Sequence, residues 1–143
     1  MRKITLSLAT VALLCATAQG ADKTIKQRGC ELSVPENWKV ESKGGEATSP
    51  DKKLTAVVGQ MGFASVDSFA DAKTIAKGAN EGNKVTKESA TELELEGESM
   101  MGRPHVYRVI PMGPKAFCAG EVMYSGATVQ DARKIARTLK VAK

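Results

Sequence analysis

The stretch Cys30-Glu31-Leu32-Ser33-Val34-Pro35-Glu36-Asn37-Trp38 joins a strand-like segment to a turn and an aromatic residue. Leu32 and Val34 alternate with polar neighbours, which is the pattern of a half-buried β-strand. Pro35 and the two residues after it favour a turn. The stretch therefore predicts a strand and a turn that bring the single tryptophan of the chain, Trp38, to the start of a second strand.

The rest of the chain continues with strand-like segments and two helix-like ones. Apolar periodicity predicts strands over residues 30–34, 38–41, 54–61, 85–90, 92–98, 105–111 and 116–124. It predicts helices over about 66–79, capped by Ser65 with Asp67 in the first turn, and about 129–141, capped by Thr128 with Asp131. Short turns between strands predict an antiparallel sheet of about six to seven strands. Both helices must pack on it, which predicts an α+β fold with α/β/α layers.

The first 20 residues have the features of a secretory signal peptide. Two basic residues precede an apolar run, and small residues stand at Ala18 and Gly20. We predict cleavage after Gly20, with cleavage after Ala18 as the alternative. The run is too short and too often interrupted by Ser and Thr for a membrane span. Lipid attachment at Cys15 would require a small residue just before it. The residue there is Leu14, so we do not predict a lipoprotein.

Export sets the expected compartment, which is the periplasm or the exterior of a Gram-negative bacterium. Removal of residues 1–20 leaves 19 Lys and Arg against 16 Asp and Glu, a net charge of +3 compared with +5 for the whole chain. These charges form no basic stripe with interleaved aromatic residues, so we expect no nucleic-acid partner. We also expect no stable membrane insertion after cleavage, and a single domain over residues 21–143.

Two cysteines remain after cleavage, Cys30 and Cys118. An even number in an exported chain predicts one disulfide, which here would join the two ends of the domain. A redox-active pair is the alternative, but the sequence lacks the Cys-x-x-Cys spacing of such pairs.

The sequence contains no recognised catalytic motif. It has no Gly-x-Ser-x-Gly elbow, its cysteines are assigned to a disulfide, and no acidic residue adjoins the single histidine, His105, in its strand. We therefore predict that the protein is not an enzyme and takes no cofactor. Acid and base partners that converge from distant parts of the fold are the alternative.

The segment Met100-Met101-Gly102-Arg103-Pro104-His105 raises the question of a metal. Thioether and imidazole suit copper in an oxidising compartment, so Met100, Met101 and His105 form an alternative copper site. The methionines do not recur in a short binding repeat, and methionine is an ordinary core residue. We favour a hairpin turn and no metal, with His105 and Tyr107 on one face of the following strand and Val106 on the other.

Charged residues cluster in two further places. Glu92, Glu94 and Glu96 alternate along one strand, which predicts a solvated face that discourages edge pairing. The last helix carries a basic run, which we predict to lie opposite its apolar stripe. The helix dipole stabilises positive charges near the C-terminal end of a helix. For contact with a partner protein we select the exposed turn and this run: Arg103, Arg133, Arg137 and Lys140, with Lys134 beside them.

With its elements in order, the chain resembles the PsbP-like and DcrB-like domains, which are exported α/β/α sandwiches. The resemblance starts in Leu32-Ser33-Val34-Pro35-Glu36-Asn37-Trp38 and continues through the turn Ser49-Pro50-Asp51, the helix near Phe69, the Gly102 hairpin and the closing helix at 135–140. The commonest form of the opening turn has Gly where this chain has Asn37, a mild departure because Asn tolerates positive φ.

This resemblance implies a fold more firmly than a role, because such domains serve several functions. It implies that catalysis is unusual. We expect a small, non-catalytic protein-binding module, an envelope accessory or host-fitness factor. An immunity protein against a periplasmic toxin and a periplasmic copper-binding protein are the alternatives.

Overall fold

The computed structural model describes residues 22–61, 66–126 and 128–143, without the side chain of Met61. The predicted leader 1–20, with Cys15, and the predicted cap Ser65 lie outside the described residues. The elements in chain order are β1 Asp22–Gln27, β2 Cys30–Pro35, β3 Lys39–Val40, β4 Glu46–Thr48, β5 Leu54–Met61, α1 Phe69–Ala79, β6 Lys84–Glu88, β7 Leu93–Glu98, β8 Pro104–Pro111, β9 Phe117–Tyr124, α2 Val129–Ala136 and β10 Lys140–Val141.

The main sheet has seven strands in the order β3-β4-β5-β9-β8-β7-β6, and the pairs are antiparallel. Its centre is formed by β5, β9 and β8, the longest strands, each of eight residues. The exposed edge strand β6 carries Lys84 and Lys87 and has a register shift between Val85 and Lys87. Charges and a bulge at an edge discourage pairing with other chains.

A second sheet of three strands, in the order β1-β2-β10, packs on one face of the main sheet. Leu32 and Val34 of β2 are fully buried in the same cluster as Ala56 and Val58 of β5. The opening stretch of the sequence therefore belongs to this small sheet and covers the main one.

The two helices lie on opposite faces of the main sheet. On β8 and β9, the even-numbered Val106 and Val122 pack with α2, and the odd-numbered Val109 and Phe117 pack with α1. Since side chains alternate along a strand, this opposite parity places the helices on the two faces. The three-stranded sheet lies on the same face of the main sheet as α2.

The predicted fold class is confirmed. The disulfide is confirmed too: Cys30 of β2 and Cys118 of β9 are bonded at 2.07 Å and link the two sheets. The strands β1, β4 and β10 were not predicted, because they are short or have a weak apolar pattern.

Both helices are shorter than predicted. The helix α1 begins at Phe69, and its N-cap is Ser68, whose hydroxyl accepts the Asp71 amide. The helix α2 ends at Ala136, and Thr128 occupies its N-cap position without a side-chain bond to the helix. Leu139, which suggested a longer helix, is buried from a turn that leads directly into β10.

Across the described residues, neither helix has the length and apolar character that a bilayer span requires. The longer of the two, α1, has 11 residues.

Candidate functional site

A cleft of about 820 Å³ lies where α2 and β2 meet two turns of the main sheet. Concave sites of this size, with mixed apolar and polar walls, are where proteins usually hold ligands. A second cavity, lined by Gln27 and Tyr107 among others, is smaller, at about 220 Å³.

One wall is the turn that follows β2. The Trp38 amide donates to the Pro35 carbonyl at 3.1 Å, which closes a four-residue turn. This turn leaves Pro35 and Asn37 exposed at the cleft while Trp38 is only 4% exposed. The indole therefore forms part of the floor and is held by the apolar core beneath it.

The opposite wall is the turn between β4 and β5, around Ser49, Pro50 and Asp51. The buried Ser49 hydroxyl donates to Asp51 Oδ1 at 2.7 Å and accepts the Leu54 amide at 3.0 Å. The Lys53 amide donates to the same carboxylate oxygen at 3.0 Å. These bonds, first that from Ser49 and then that from Lys53, lower the pKa of Asp51, so its carboxylate is ionised at neutral pH.

The helix α2 and the turn after it complete the cleft. Ile135 contributes apolar surface, and Thr138 ties the helix end to β2: its hydroxyl accepts the Ser33 amide at 2.9 Å and donates to the Ile135 carbonyl at 2.6 Å. Asp131 and Lys134 stand exposed at the rim. No ion pair joins either of them to another described residue.

The charges at the rim are unequal. Three carboxylates, those of Asp22, Asp51 and Asp131, line the cleft with a single cation, Lys134. The floor between them is apolar, formed by Trp38, Leu54 and Ile135. The cleft is therefore suited to an occupant that has apolar side chains for the floor and at least one positive charge for the rim.

The residues predicted to contact a partner lie elsewhere, and two of them are bound within the fold. Arg133 makes a two-pronged salt bridge to Glu96, with N···O distances of 2.6 and 2.7 Å. Arg137 makes a similar one to Glu94, with distances of 3.0 and 2.9 Å. Neither guanidinium is free for a partner without breaking these bonds.

The prediction of a solvated carboxylate face on β7 is wrong. Glu94 is 0% exposed, and its carboxylate also accepts a bond from the Thr86 hydroxyl at 2.9 Å. Glu92 pairs with Arg108 at 2.7 Å. The face is covered because α2 places its arginines over it, so β7 and α2 are joined by charge pairs beside the apolar core.

The other two predicted contact residues are also placed outside the cleft. Lys140 lies in β10 and pairs with the buried Glu31 at 2.9 Å. Arg103 lies half-buried in the β7–β8 hairpin turn, where its amide donates to the Ser99 hydroxyl at 3.2 Å. Sequence reasoning missed the cleft, although it had singled out both turns that form its walls.

The three residues of the alternative copper site do not converge. Met100 and Met101 project from the hairpin turn, 88% and 79% exposed, whereas His105 is 1% exposed. Asn83 donates its amide protons to the carbonyls of Asn80 and Glu98, so its Oδ1 accepts from His105 Nε2 at 2.9 Å. The hairpin interpretation holds for this turn, where the Gly102 amide donates to the Ser99 carbonyl.

An acidic partner of His105 comes from the next strand, which the sequence did not reveal. The Nδ1 atom lies 2.7 Å from Glu121 Oε1 of β9. Both ring nitrogens therefore have protein partners, and neither offers a free lone pair to a metal or a substrate in this structure. Tyr107 lies on the same face, with its ring centroid 6.0 Å from that of His105, as alternation predicted.

We expect His105→Gln to destabilise the protein by about 1–3 kcal/mol, because a buried group that loses its hydrogen-bond partner costs roughly that much. Glutamine can replace one of the two bonds and not both. Urea unfolding followed by circular dichroism measures the change. A loss of stability below about 0.5 kcal/mol would show that the hydrogen bonds of the His105 ring to Glu121 and Asn83 contribute little to the fold.

Comparison with known proteins identifies the fold. No family model matches the sequence, and no curated protein matches it. Among solved structures, the chain is similar to cyanobacterial PsbP (CyanoP) from Synechocystis sp. PCC 6803, with a TM-score of 0.51 and 12% identity over 88% of this chain and 95% of that one. It is also similar to LpqN, involved in cell envelope biogenesis of Mycobacterium tuberculosis, with a TM-score of 0.48 and 15% identity over 86% of this chain and 91% of that one.

At 12% identity the likeness to CyanoP establishes the fold and leaves the function open. The chain has a PsbP-like fold, as the opening strand, turn and tryptophan indicated.

Proposed function

We propose that this protein is a non-catalytic binding module of the bacterial envelope, an accessory or fitness factor that holds a segment of a partner protein in the cleft between α2 and the two turns. The single observation that carries the proposal is the cleft of about 820 Å³ with an apolar floor and an acidic rim. The predicted leader and the Cys30–Cys118 disulfide support a location in an oxidising compartment.

The shape and charge of the cleft favour a peptide segment as the occupant. Its walls are turns fixed by their own hydrogen bonds, so little ordering is needed before binding. Three carboxylates against one lysine favour a segment that carries Lys or Arg next to an apolar residue. A periplasmic toxin could supply such a segment. An immunity protein against a toxin is therefore one form that the proposed binding function can take.

A site-specific crosslinker tests the location of the contact. We expect a photoreactive p-benzoylphenylalanine at position 37, on the cleft wall, to capture a partner in intact cells at native expression. The matched control is the same residue at position 81, exposed in the loop after α1. Equal products from both positions, or no product from position 37, would contradict the proposal.

A charge reversal then tests the chemistry with the captured partner. Mass spectrometry identifies the crosslinked segment, and a synthetic peptide of that segment is titrated against the protein. Trp38 is the only tryptophan and lines the cleft, so its fluorescence reports occupancy when the peptide has none.

We expect Asp131→Lys to weaken binding of this peptide about fivefold or more, because it turns an attractive rim charge into a repulsive one. Glu81→Lys changes the net charge equally but lies away from the cleft, and should bind as the unmodified protein does. Equal affinities for the two variants would contradict the proposed contact.

A further inference from the structure

Three sulfur atoms converge where the β1–β2 turn meets the β8–β9 turn. The Met112 Sδ atom lies 3.8 Å from Cys30 Sγ and 3.6 Å from Cys118 Sγ, so the thioether packs against the disulfide. Both cysteines are fully buried, and Met112 is half-buried. This cluster lies at the other end of β8 from the exposed Met100 and Met101 and has no part in the cleft.

The backbone around the cluster fixes the methionine. The Met112 amide donates to the Ala116 carbonyl at 2.8 Å, which closes the β8–β9 turn. Gly29, with φ +82°, lies against the other side: a Cβ there would stand 3.4 Å from Met112 Cε and 3.5 Å from its Sδ. The thioether is thus held between a turn and a glycine, with its sulfur directed at the cysteines.

We propose that the reduced form of this protein binds one Cu(I) ion through Cys30, Cys118 and Met112. Two thiolates and a thioether are soft ligands of the kind that select Cu(I) over harder ions. In the disulfide the two cysteine sulfurs are 2.07 Å apart, and each lies 3.6–3.8 Å from Met112 Sδ. Once reduction lets the two thiolates separate to a similar distance, a metal at the centre of the three sulfurs would lie about 2.1–2.2 Å from each, close to the ~2.3 Å of a metal–thiolate bond. The arrangement requires that the disulfide opens and that its two sulfurs move apart.

The chemistry has two balanced steps. A dithiol reductant transfers two electrons and two protons to the disulfide, so the S–S bond breaks, two thiols form and the reductant becomes a disulfide. Cu(I) then displaces both thiol protons to solvent and forms two Cu–S bonds. The Met112 sulfur donates a lone pair as the third ligand and loses no proton.

The test uses the mature protein in its oxidised and reduced forms. The reduced form is prepared with a dithiol, freed of it without oxygen, and titrated with Cu(I) against a coloured Cu(I) chelator. We expect one copper per reduced chain and none on the oxidised chain. Circular dichroism of the reduced chain is recorded before and after copper, and X-ray absorption should report three sulfurs around the metal.

Variants separate this site from adventitious binding by two thiols. We expect Met112→Leu to weaken copper binding at least tenfold and to give a two-sulfur spectrum. The matched control is Met100→Leu, which removes an exposed thioether and should bind as the unmodified protein does.

Three results would overturn the proposal. One is equal binding by Met112→Leu and Met100→Leu. Another is failure of the reduced chain to hold copper against the chelator. The third is a reduced chain that unfolds and does not recover its circular dichroism on addition of Cu(I).

Discussion

Replacing Arg137 with alanine should lower the free energy of unfolding by about 2–3 kcal/mol, less than for a fully buried ion pair that loses one member, because the Arg137 side chain is 41% exposed. Glu94 has no solvent exposure, and Arg137 supplies two of its hydrogen bonds. Without the guanidinium the carboxylate keeps only the Thr86 hydroxyl as a side-chain donor, so a buried charge loses the one cation that is hydrogen-bonded to it. Urea unfolding by circular dichroism measures the loss as a shift in midpoint.

Two comparisons separate the charge pair from general effects of substitution on α2. Lys134→Ala removes an exposed lysine three residues earlier and should change stability by about 0.5 kcal/mol or less. The double variant Glu94→Leu/Arg137→Leu removes both charges and should recover most of the loss, because apolar replacements of a buried pair are often neutral. If Arg137→Ala behaves like Lys134→Ala, the pair does not hold α2 to β7.

The same pair predicts a pH dependence. Burial raises the pKa of Glu94, but the hydrogen bonds from Arg137 and Thr86 and the charge of Arg137 lower it more, so it lies below the usual value. A carboxyl whose pKa is lowered by folding stabilises the protein above its unfolded pKa of about 4.3, and this contribution is lost as the pH falls through the folded pKa. The difference between the unmodified protein and Arg137→Ala should therefore narrow progressively below about pH 5 and stay constant near neutrality.

The error about the β7 carboxylates shows what a strand pattern leaves out. Alternation of Glu with Leu predicts a polar face, but it does not distinguish water from an arginine as the neighbour of that face. The sequence did contain a hint that arginines cover this face. Arg133 and Arg137 are one helical turn apart, and Glu94 and Glu96 are two strand residues apart. These spacings are about 6.0 and 6.7 Å, so the two rows can pair member by member, as Arg133 does with Glu96 and Arg137 with Glu94.

The fold was more predictable than the site because its signals are local periodicity and a count of cysteines. Alternation placed His105 and Tyr107 on one face of β8, and the paired cysteines predicted the link between chain ends. The His105–Glu121 contact instead joins residues 16 apart, and the cleft brings α2 to turns about 80 or more residues earlier in the chain, so both depend on sheet register and on helix position. The turns at Pro35 and Ser49 were visible in the sequence, but nothing in it showed that α2 would lie between them.

Removing the disulfide with Cys30→Ala/Cys118→Ala should cost about 2–4 kcal/mol, the usual range for a native bridge. The bond closes a loop with a sequence separation of 88, so its loss gives the unfolded chain considerable freedom. Alanine suits the test better than serine, because both positions are fully buried and a serine hydroxyl would lack a partner there. Urea unfolding of the double variant, and of the unmodified protein with a dithiol present, measures the effect.

The location of the bond predicts which part of the molecule loosens first. Cys30 lies in the three-stranded sheet and Cys118 in the main sheet, so the disulfide cross-links the two sheets in addition to the backbone. The strand β9 keeps its eight-residue antiparallel neighbours β5 and β8 in the variant, whereas β2 keeps the six-residue β1 and the two-residue β10 in its own sheet. Local opening occurs where fewest contacts oppose it, so the amides of β1 and β2 should exchange hydrogen faster while those of β8 and β9 change less. Uniform acceleration in both sheets would instead mean that the two unfold as one unit and that the disulfide acts only on the unfolded chain.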